Sequence, residues 1–174
     1  MNELKMRILQ EKDASLMFEL MHSPDMYNFF RFNPDSITRE SIRAFITNSQ
    51  TSEDNKHFAV VDESDEYLGT VSLKNIDTVS LNAEFAIILR AKVRGRGVGT
   101  FAVYEIFKYA FNELELHKVY LNVYTDNFAA VRLYEKCGFI YEGEFREHVF
   151  VKGLFKNIKW FGITKEEYES YAHN

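Results

Sequence analysis

Apolar positions along the chain switch between two spacings, and the switches mark its elements. Residues 5–9 (Lys-Met-Arg-Ile-Leu) read as a short strand. Leu16, Met17, Leu20 and Met21 then recur at helical intervals, which predicts a helix over 11–23 that stops before Pro24. An aromatic-rich connection follows at 25–37, with Tyr27, Phe29, Phe30, Phe32 and Pro34. Thr38 with Ser41 predicts the start of a second helix, whose apolar face is Ile42, Phe45 and Ile46. Strand-like runs at 57–61, 67–73 and 83–89 are separated by a charged turn at 62–66 and a polar one at 77–80. Val98, Phe101, Ala102, Ile106, Ala110 and Leu114 form one face of a long helix predicted over 98–114. Val119, Leu121 and Val123 alternate, so 118–124 is a strand. Asn127 suits a helix N-cap and Gly138 the C′ position that ends it. Residues 140–151 and 155–163 predict a terminal hairpin around Lys152-Gly153, and Thr164 with Glu167 a capping box for a last helix. Antiparallel-looking strands therefore precede a strand–glycine loop–helix–strand–helix unit. That order predicts an α/β fold on a mixed sheet and excludes a doubly wound one.

Length and charge narrow the picture. At ~100–200 residues per domain, 174 residues predict a single domain over 1–174. The 16% aromatic content supplies a sizeable core. One Cys excludes a disulfide framework and a Cys-based zinc module, and five scattered His give no metal spacing, so no metal is expected. No apolar run approaches the ~18 residues of a membrane span, and the N-terminus lacks an apolar h-region. The expectation is a cytoplasmic protein without a membrane partner. A net charge of −5 disfavours nucleic acid as a partner. Against that background Lys92, Arg94 and Arg96, interleaved with glycines, ask for an anionic ligand at one place.

The central motif is Arg94-Gly95-Arg96-Gly97-Val98-Gly99-Thr100 between a strand and a long helix. Such a loop turns consecutive backbone N–H groups onto phosphate, with the positive end of the helix dipole behind them. Glycines at 95, 97 and 99 miss the dinucleotide G-x-G-x-x-G spacing, and no Gly-Lys-Ser/Thr step makes a P-loop. The alternative is a tight strand-to-helix turn with solvated arginines.

The spacing Arg94-x-x-Gly97-x-Gly99 resembles the acetyl-CoA pyrophosphate loop of the GCN5-related N-acetyltransferase (GNAT) superfamily. Asn127-Phe-Ala-Ala130 followed by Leu133-Tyr134-Glu135-Lys136-Cys137-Gly138-Phe139 resembles its second signature. Ala91 departs from the pattern, where many relatives carry Pro. The resemblance covers nearly the whole chain. It implies a single-domain GNAT fold, with a mostly antiparallel mixed sheet flanked by helices and splayed at the acetyl-CoA site. It implies acetyl-CoA as co-substrate, held by the loop from Arg94 to Thr100, by Asn127 and Ala130, and by backbone around Ile87, Ile88 and Leu89. Independently of the family, Asn127, Ala130, Val131 and Tyr134 fall on one helical stripe that can flank an extended pantetheine arm. An N-cap Asn, a packing Ala and a buried Tyr are the structural alternatives.

Acetyl transfer from a thioester to an amine needs a neutral amine, yet an alkylammonium titrates near ~10.4. The oxyanion needs donors, which relatives take from backbone N–H groups around the residues equivalent to Ile87–Leu89. The leaving thiolate needs a hydrogen bond or a proton, and Tyr134 resembles the family's general acid. A phenol near ~10 and a thiol near ~8.5 make full proton transfer uphill by about 2 kcal/mol, so Tyr134 is expected to stabilise the sulfur at least as much as protonate it. Glu84, on the strand leading to the loop, is the candidate base, with a solvated strand-edge carboxylate as the alternative. Cys137 reads as a small apolar residue. The family places acceptor choice in 25–37 and 143–153, so Phe29 and Arg31 are the candidate substrate-binding residues. They favour a ring-bearing or anionic small-molecule amine such as an amino sugar or nucleotide-linked amino sugar, with polyamines and protein N-termini as further acceptors. A non-catalytic acyl-CoA-binding or regulatory module on the same fold is the competing reading. A homo-oligomer is left open.

Overall fold

The computed structural model describes residues 3–24, 26 and 33–172. Phe29 and Arg31, with Tyr27, Phe30 and Phe32 of the aromatic connection, lie outside the described residues. The first half carries β1 (Lys5–Ile8), α1 (Ala14–Met21), α2 (Arg39–Ser49), β2 (Lys56–Val61), β3 (Tyr67–Asp77) and β4 (Asn82–Leu89). The second half carries α3 (Val98–Lys108), β5 (Lys118–Tyr124), α4 (Phe128–Lys136), β6 (Ile140–Val151), β7 (Leu154–Thr164) and α5 (Lys165–Ala172). The strands form one seven-stranded sheet in the order β1-β2-β3-β4-β5-β7-β6. Every pairing is antiparallel except β4 with β5. No helix among the described residues is long and apolar enough to cross a membrane.

The predicted caps form as local sequence dictates. Thr38 accepts from the Ser41 N–H at 3.0 Å while the Ser41 hydroxyl accepts from the Thr38 N–H at 3.0 Å. Thr164 and Glu167 cap α5 in the same reciprocal way, at 2.8 and 3.3 Å. β1 and α1 are joined by a contact that periodicity does not reveal. The Arg7 guanidinium grips the buried Asp13 carboxylate through two bonds of 2.8 Å, and the Gln10 N–H adds a third at 2.8 Å.

Strand alternation divides the core between the two faces of the sheet. Ala59, Val61 and Tyr67 pack with Leu9, Met17, Leu20, Ile42 and Ile46 beneath α1 and α2. Val71, Leu73, Ala83, Phe85, Val119 and Leu121 pack on the other face, against α3 and α4. Two expectations for α3 are corrected. It is buried beyond the one predicted face, because Val103, Phe107 and Phe111 are also fully enclosed. Tyr168 of α5 covers that side, with its ring 5.7 Å from Phe107 and 5.1 Å from Phe111. The helix also does not run on as α to residue 114. Residues 109–113 form a π turn, closed by the Leu114 N–H to the Tyr109 carbonyl at 3.0 Å.

Candidate active site

The site is built where two neighbouring strands part. β4 and β5 pair only from Asn82↔Lys118 to Glu84↔Tyr120. Beyond that point β4 stays on β3 to Leu89, while β5 turns to β7 as far as Tyr124. The β5-facing edge of β4 is thus open from Phe85 to Leu89. Its donors can be assigned from alternation. The Arg90 N–H donates to the Leu68 carbonyl on β3 at 2.9 Å, so every second N–H back along β4, Ile88 included, also points to β3. The N–H groups of Ile87 and Leu89 therefore point into the gap.

The glycine loop lies at the end of this opening. Gly97 is the N-cap of α3 with φ +82°, a left-handed conformation that glycine adopts without a Cβ penalty. The first α3 bond runs from the Phe101 N–H to the Gly97 carbonyl at 3.0 Å, leaving the N–H groups of Val98, Gly99 and Thr100 as the helix's open donors. Gly99 answers a different need: a Cβ there would stand 3.0 Å from Leu133 of α4, so its absence lets α3 and α4 approach. The cation cluster read from the sequence is smaller in three dimensions. Lys92 is bound to Glu66 at 2.5 Å, a carboxylate it shares with Arg90. Arg94 reaches the Leu89 carbonyl at 3.4 Å, at the mouth of the gap, and Arg96 is exposed. Arg94 and Arg96 are the two basic side chains of the loop itself.

α4 flanks the opening. The Asn127 side-chain oxygen accepts from the Ala130 N–H at 3.3 Å, so it acts as the N-cap. Tyr134 is buried between Phe85 and Phe139, with ring centroids at 5.9 and 5.7 Å and edge-to-face geometry in both pairs. Its hydroxyl has no hydrogen-bond partner among the described residues. Burial holds that phenol well above its ordinary range, so it is a neutral donor at pH 7. Cys137 is buried, which pushes its thiol up, an effect opposed by the hydrogen-bonded Thr100 hydroxyl.

Glu84 faces the opposite side of β4 from Phe85, and hence from Tyr134. Its carboxylate accepts from Lys74 at 3.1 Å, Asn75 at 3.0 Å and Asn122 at 3.3 Å. None of these three partners was read from the sequence. Asn122 was within reach, because strand alternation puts it on the face opposite Leu121 and Val123. On the same face His57 bonds the Ser72 hydroxyl at 2.7 Å and lies 4.7 Å from the Phe45 ring. Burial first and Lys74 second hold His57 below its ordinary value of 6.5. Folding therefore favours the neutral ring. As the pH falls below about 6.5 the unfolded chain takes up a proton that the folded chain refuses, and stability drops. His57→Gln should flatten that loss, read as the melting-temperature slope between about pH 7 and pH 5. Equal slopes would exclude His57 as its source.

The comparisons with known proteins agree with this geometry. Residues 3–140 match the acetyltransferase (GNAT) domain, so the chain belongs to the GNAT family. Membership makes it an N-acetyltransferase with acetyl-CoA as acetyl donor. It is similar to the spermidine N(1)-acetyltransferase of Vibrio cholerae, 28% identical over 167 residues, with 96% of each chain covered. It is also similar to the acetyltransferase PseH of Campylobacter jejuni, 30% identical over 131 residues, covering 75% of this chain and 79% of that one. The crystal structure of the Vibrio enzyme in complex with CoA and spermine superimposes with a TM-score of 0.88, at 28% identity, over 95% of this chain and 98% of that one.

Proposed function

We propose that the protein moves an acetyl group from acetyl-CoA to a primary amine of a small molecule by direct attack in a ternary complex. The observation that carries this reading is the parting of β4 from β5 immediately after Glu84↔Tyr120, at the place where both sequence motifs converge. The pyrophosphate of acetyl-CoA would take the open N–H groups of α3 together with Arg94 and Arg96. The pantetheine arm would run through the gap past Ala130 and the Asn127 amide nitrogen. Its thioester carbonyl oxygen would accept from the N–H groups of Ile87 and Leu89, donors that strengthen as the oxyanion forms.

The two faces of β4 divide the proton chemistry. Tyr134 lies on the side of the leaving sulfur and Glu84 on the side of the amine. The amine nitrogen bonds to the carbonyl carbon, the tetrahedral adduct collapses, and the C–S bond breaks with its electron pair on sulfur. The proton lost by nitrogen passes through water towards Glu84, and the thiolate accepts a hydrogen bond from the Tyr134 hydroxyl. Amino sugars, polyamines such as the spermidine of the Vibrio enzyme's name, and protein N-termini are the acceptor classes to compare.

Incubation with acetyl-CoA and a panel of such amines, read as free thiol, tests the proposal. Release with at least one amine is expected. Acetyl-CoA binding without release from any amine would make the protein an acyl-CoA-binding module. In the same assay Glu84→Gln should lower the rate at neutral pH by about 10²-fold and recover at high pH, where free amine is abundant. A pH–rate profile parallel to that of the parent chain would make Glu84 a bystander.

A further inference from the structure

On the Glu84 face, beside the paired base of β4 and β5, lies an open depression of about 330 Å³. Tyr120, Phe145 and Trp160 line it together with Asn82, Lys118 and Glu142. Three strands bring the rings together: Trp160 lies 6.2 Å from Tyr120 and 5.6 Å from Phe145, each pair tilted. The depression is linked to the candidate base through two of its neighbours in the sheet. Tyr120 is the register partner of Glu84, and Trp160 is the register partner of Asn122, whose amide bonds Glu84. At a strand spacing of about 4.8 Å, Trp160 and Glu84 lie roughly two strands, or about 10 Å, apart. An amine held near Glu84 has these rings within reach of its remaining body.

The charges argue about that body. Two carboxylates near it are paired with lysines, Glu142 with Lys118 at 2.5 Å and Glu84 with Lys74 at 3.1 Å, while Asp77 accepts from the backbone N–H groups of Val79 and Ser80 at 2.8 Å. A second ammonium would find Glu142 and Glu84 each already paired with a lysine. The volume is at the lower end of the ~300–1,000 Å³ of small-molecule sites, enough for one ring and a short linker. Tilted aromatic walls bind flat faces by stacking and edge contact.

Resting on the acetyl-transfer reading above, we infer that the Tyr120–Phe145–Trp160 depression is the acceptor subsite, and that it selects a primary amine carried on an uncharged ring over a linear polycation. The ring is a flat aryl group or a pyranose chair presenting its apolar C–H face.

Trp160 is the single tryptophan of the chain, so its emission reports on this depression and nowhere else. The experiment titrates phenethylamine, glucosamine and spermidine against that emission with CoA present, and measures kcat/KM for each with acetyl-CoA. A saturable change is expected with at least one ring amine, at concentrations about tenfold below those spermidine needs, with the same order in kcat/KM. Phe145 is exposed, so Phe145→Ala should keep the parent melting temperature. It should weaken the ring amine by about 3–10-fold and narrow its advantage over spermidine. The inference is overturned if neither ring amine perturbs Trp160, if spermidine saturates the signal first, or if Phe145→Ala leaves ring-amine binding unchanged. Saturable ring-amine binding without thiol release from any amine would instead sink the acetyl-transfer reading and leave the subsite standing. Thiol release from spermidine with an unresponsive Trp160 would do the reverse.

Discussion

Tyr134→Phe is expected to lower kcat by about 10²–10⁴-fold while the Kd for acetyl-CoA and the melting temperature stay close to those of the parent chain. The substitution keeps the ring and its edge-to-face contacts with Phe85 and Phe139. It removes a hydroxyl with no partner among the described residues, so no buried group is orphaned by its loss. A tyrosine kept for structure would behave differently, because losing a made hydrogen bond costs about 1 kcal/mol. Burial sharpens the chemical role. It holds the phenol above its ordinary range, so complete proton transfer to a thiolate is steeper than the about 2 kcal/mol that free values imply. The hydroxyl then acts by donating a hydrogen bond to the charge developing on sulfur. Near-normal kcat in the variant would remove Tyr134 from the mechanism.

Gly97→Asp should weaken acetyl-CoA binding by on the order of 10³-fold without unfolding the chain. A Cβ at Gly97 meets nothing within 4 Å, so sterics do not decide the outcome. The φ of +82° strains an L-residue, but Asp is among the side chains that visit this region, at a cost of roughly 1–2 kcal/mol. An N-cap carboxylate also competes for the α3 N–H groups assigned to the pyrophosphate. Its repulsion of a phosphate charge about 4 Å away is worth about 4 kcal/mol at an effective dielectric of about 20. Calorimetry on the folded variant decides this: an affinity within about threefold of the parent would place the pyrophosphate elsewhere.

Both predictions stand on features legible along the chain. The reciprocal caps at Thr38 and Thr164, the N-cap at Asn127 and the turn at Lys152-Gly153 that closes the terminal hairpin each depend on residues within a few positions of one another. Periodicity likewise assigned the inward faces of β5 and α4. These properties follow from covalent reach, since a side chain three or four residues away meets its partner whatever the rest of the fold does. Tertiary structure decided everything that needed residues brought from distant segments. Lys92 looked like a phosphate ligand until Glu66 was placed beside it, and α3 looked one-faced until Tyr168 closed over Phe107 and Phe111. Glu84 acquired Lys74, Asn75 and Asn122 from two neighbouring strands. Tyr120, Phe145 and Trp160 became one surface only because β5 pairs β7 and β7 pairs β6. The sequence by itself determined which backbone turns could cradle an anion and which residues could attend a thioester. Strand order and register determined on which side of the sheet each works, because a strand's two faces are equivalent until its neighbours make them differ.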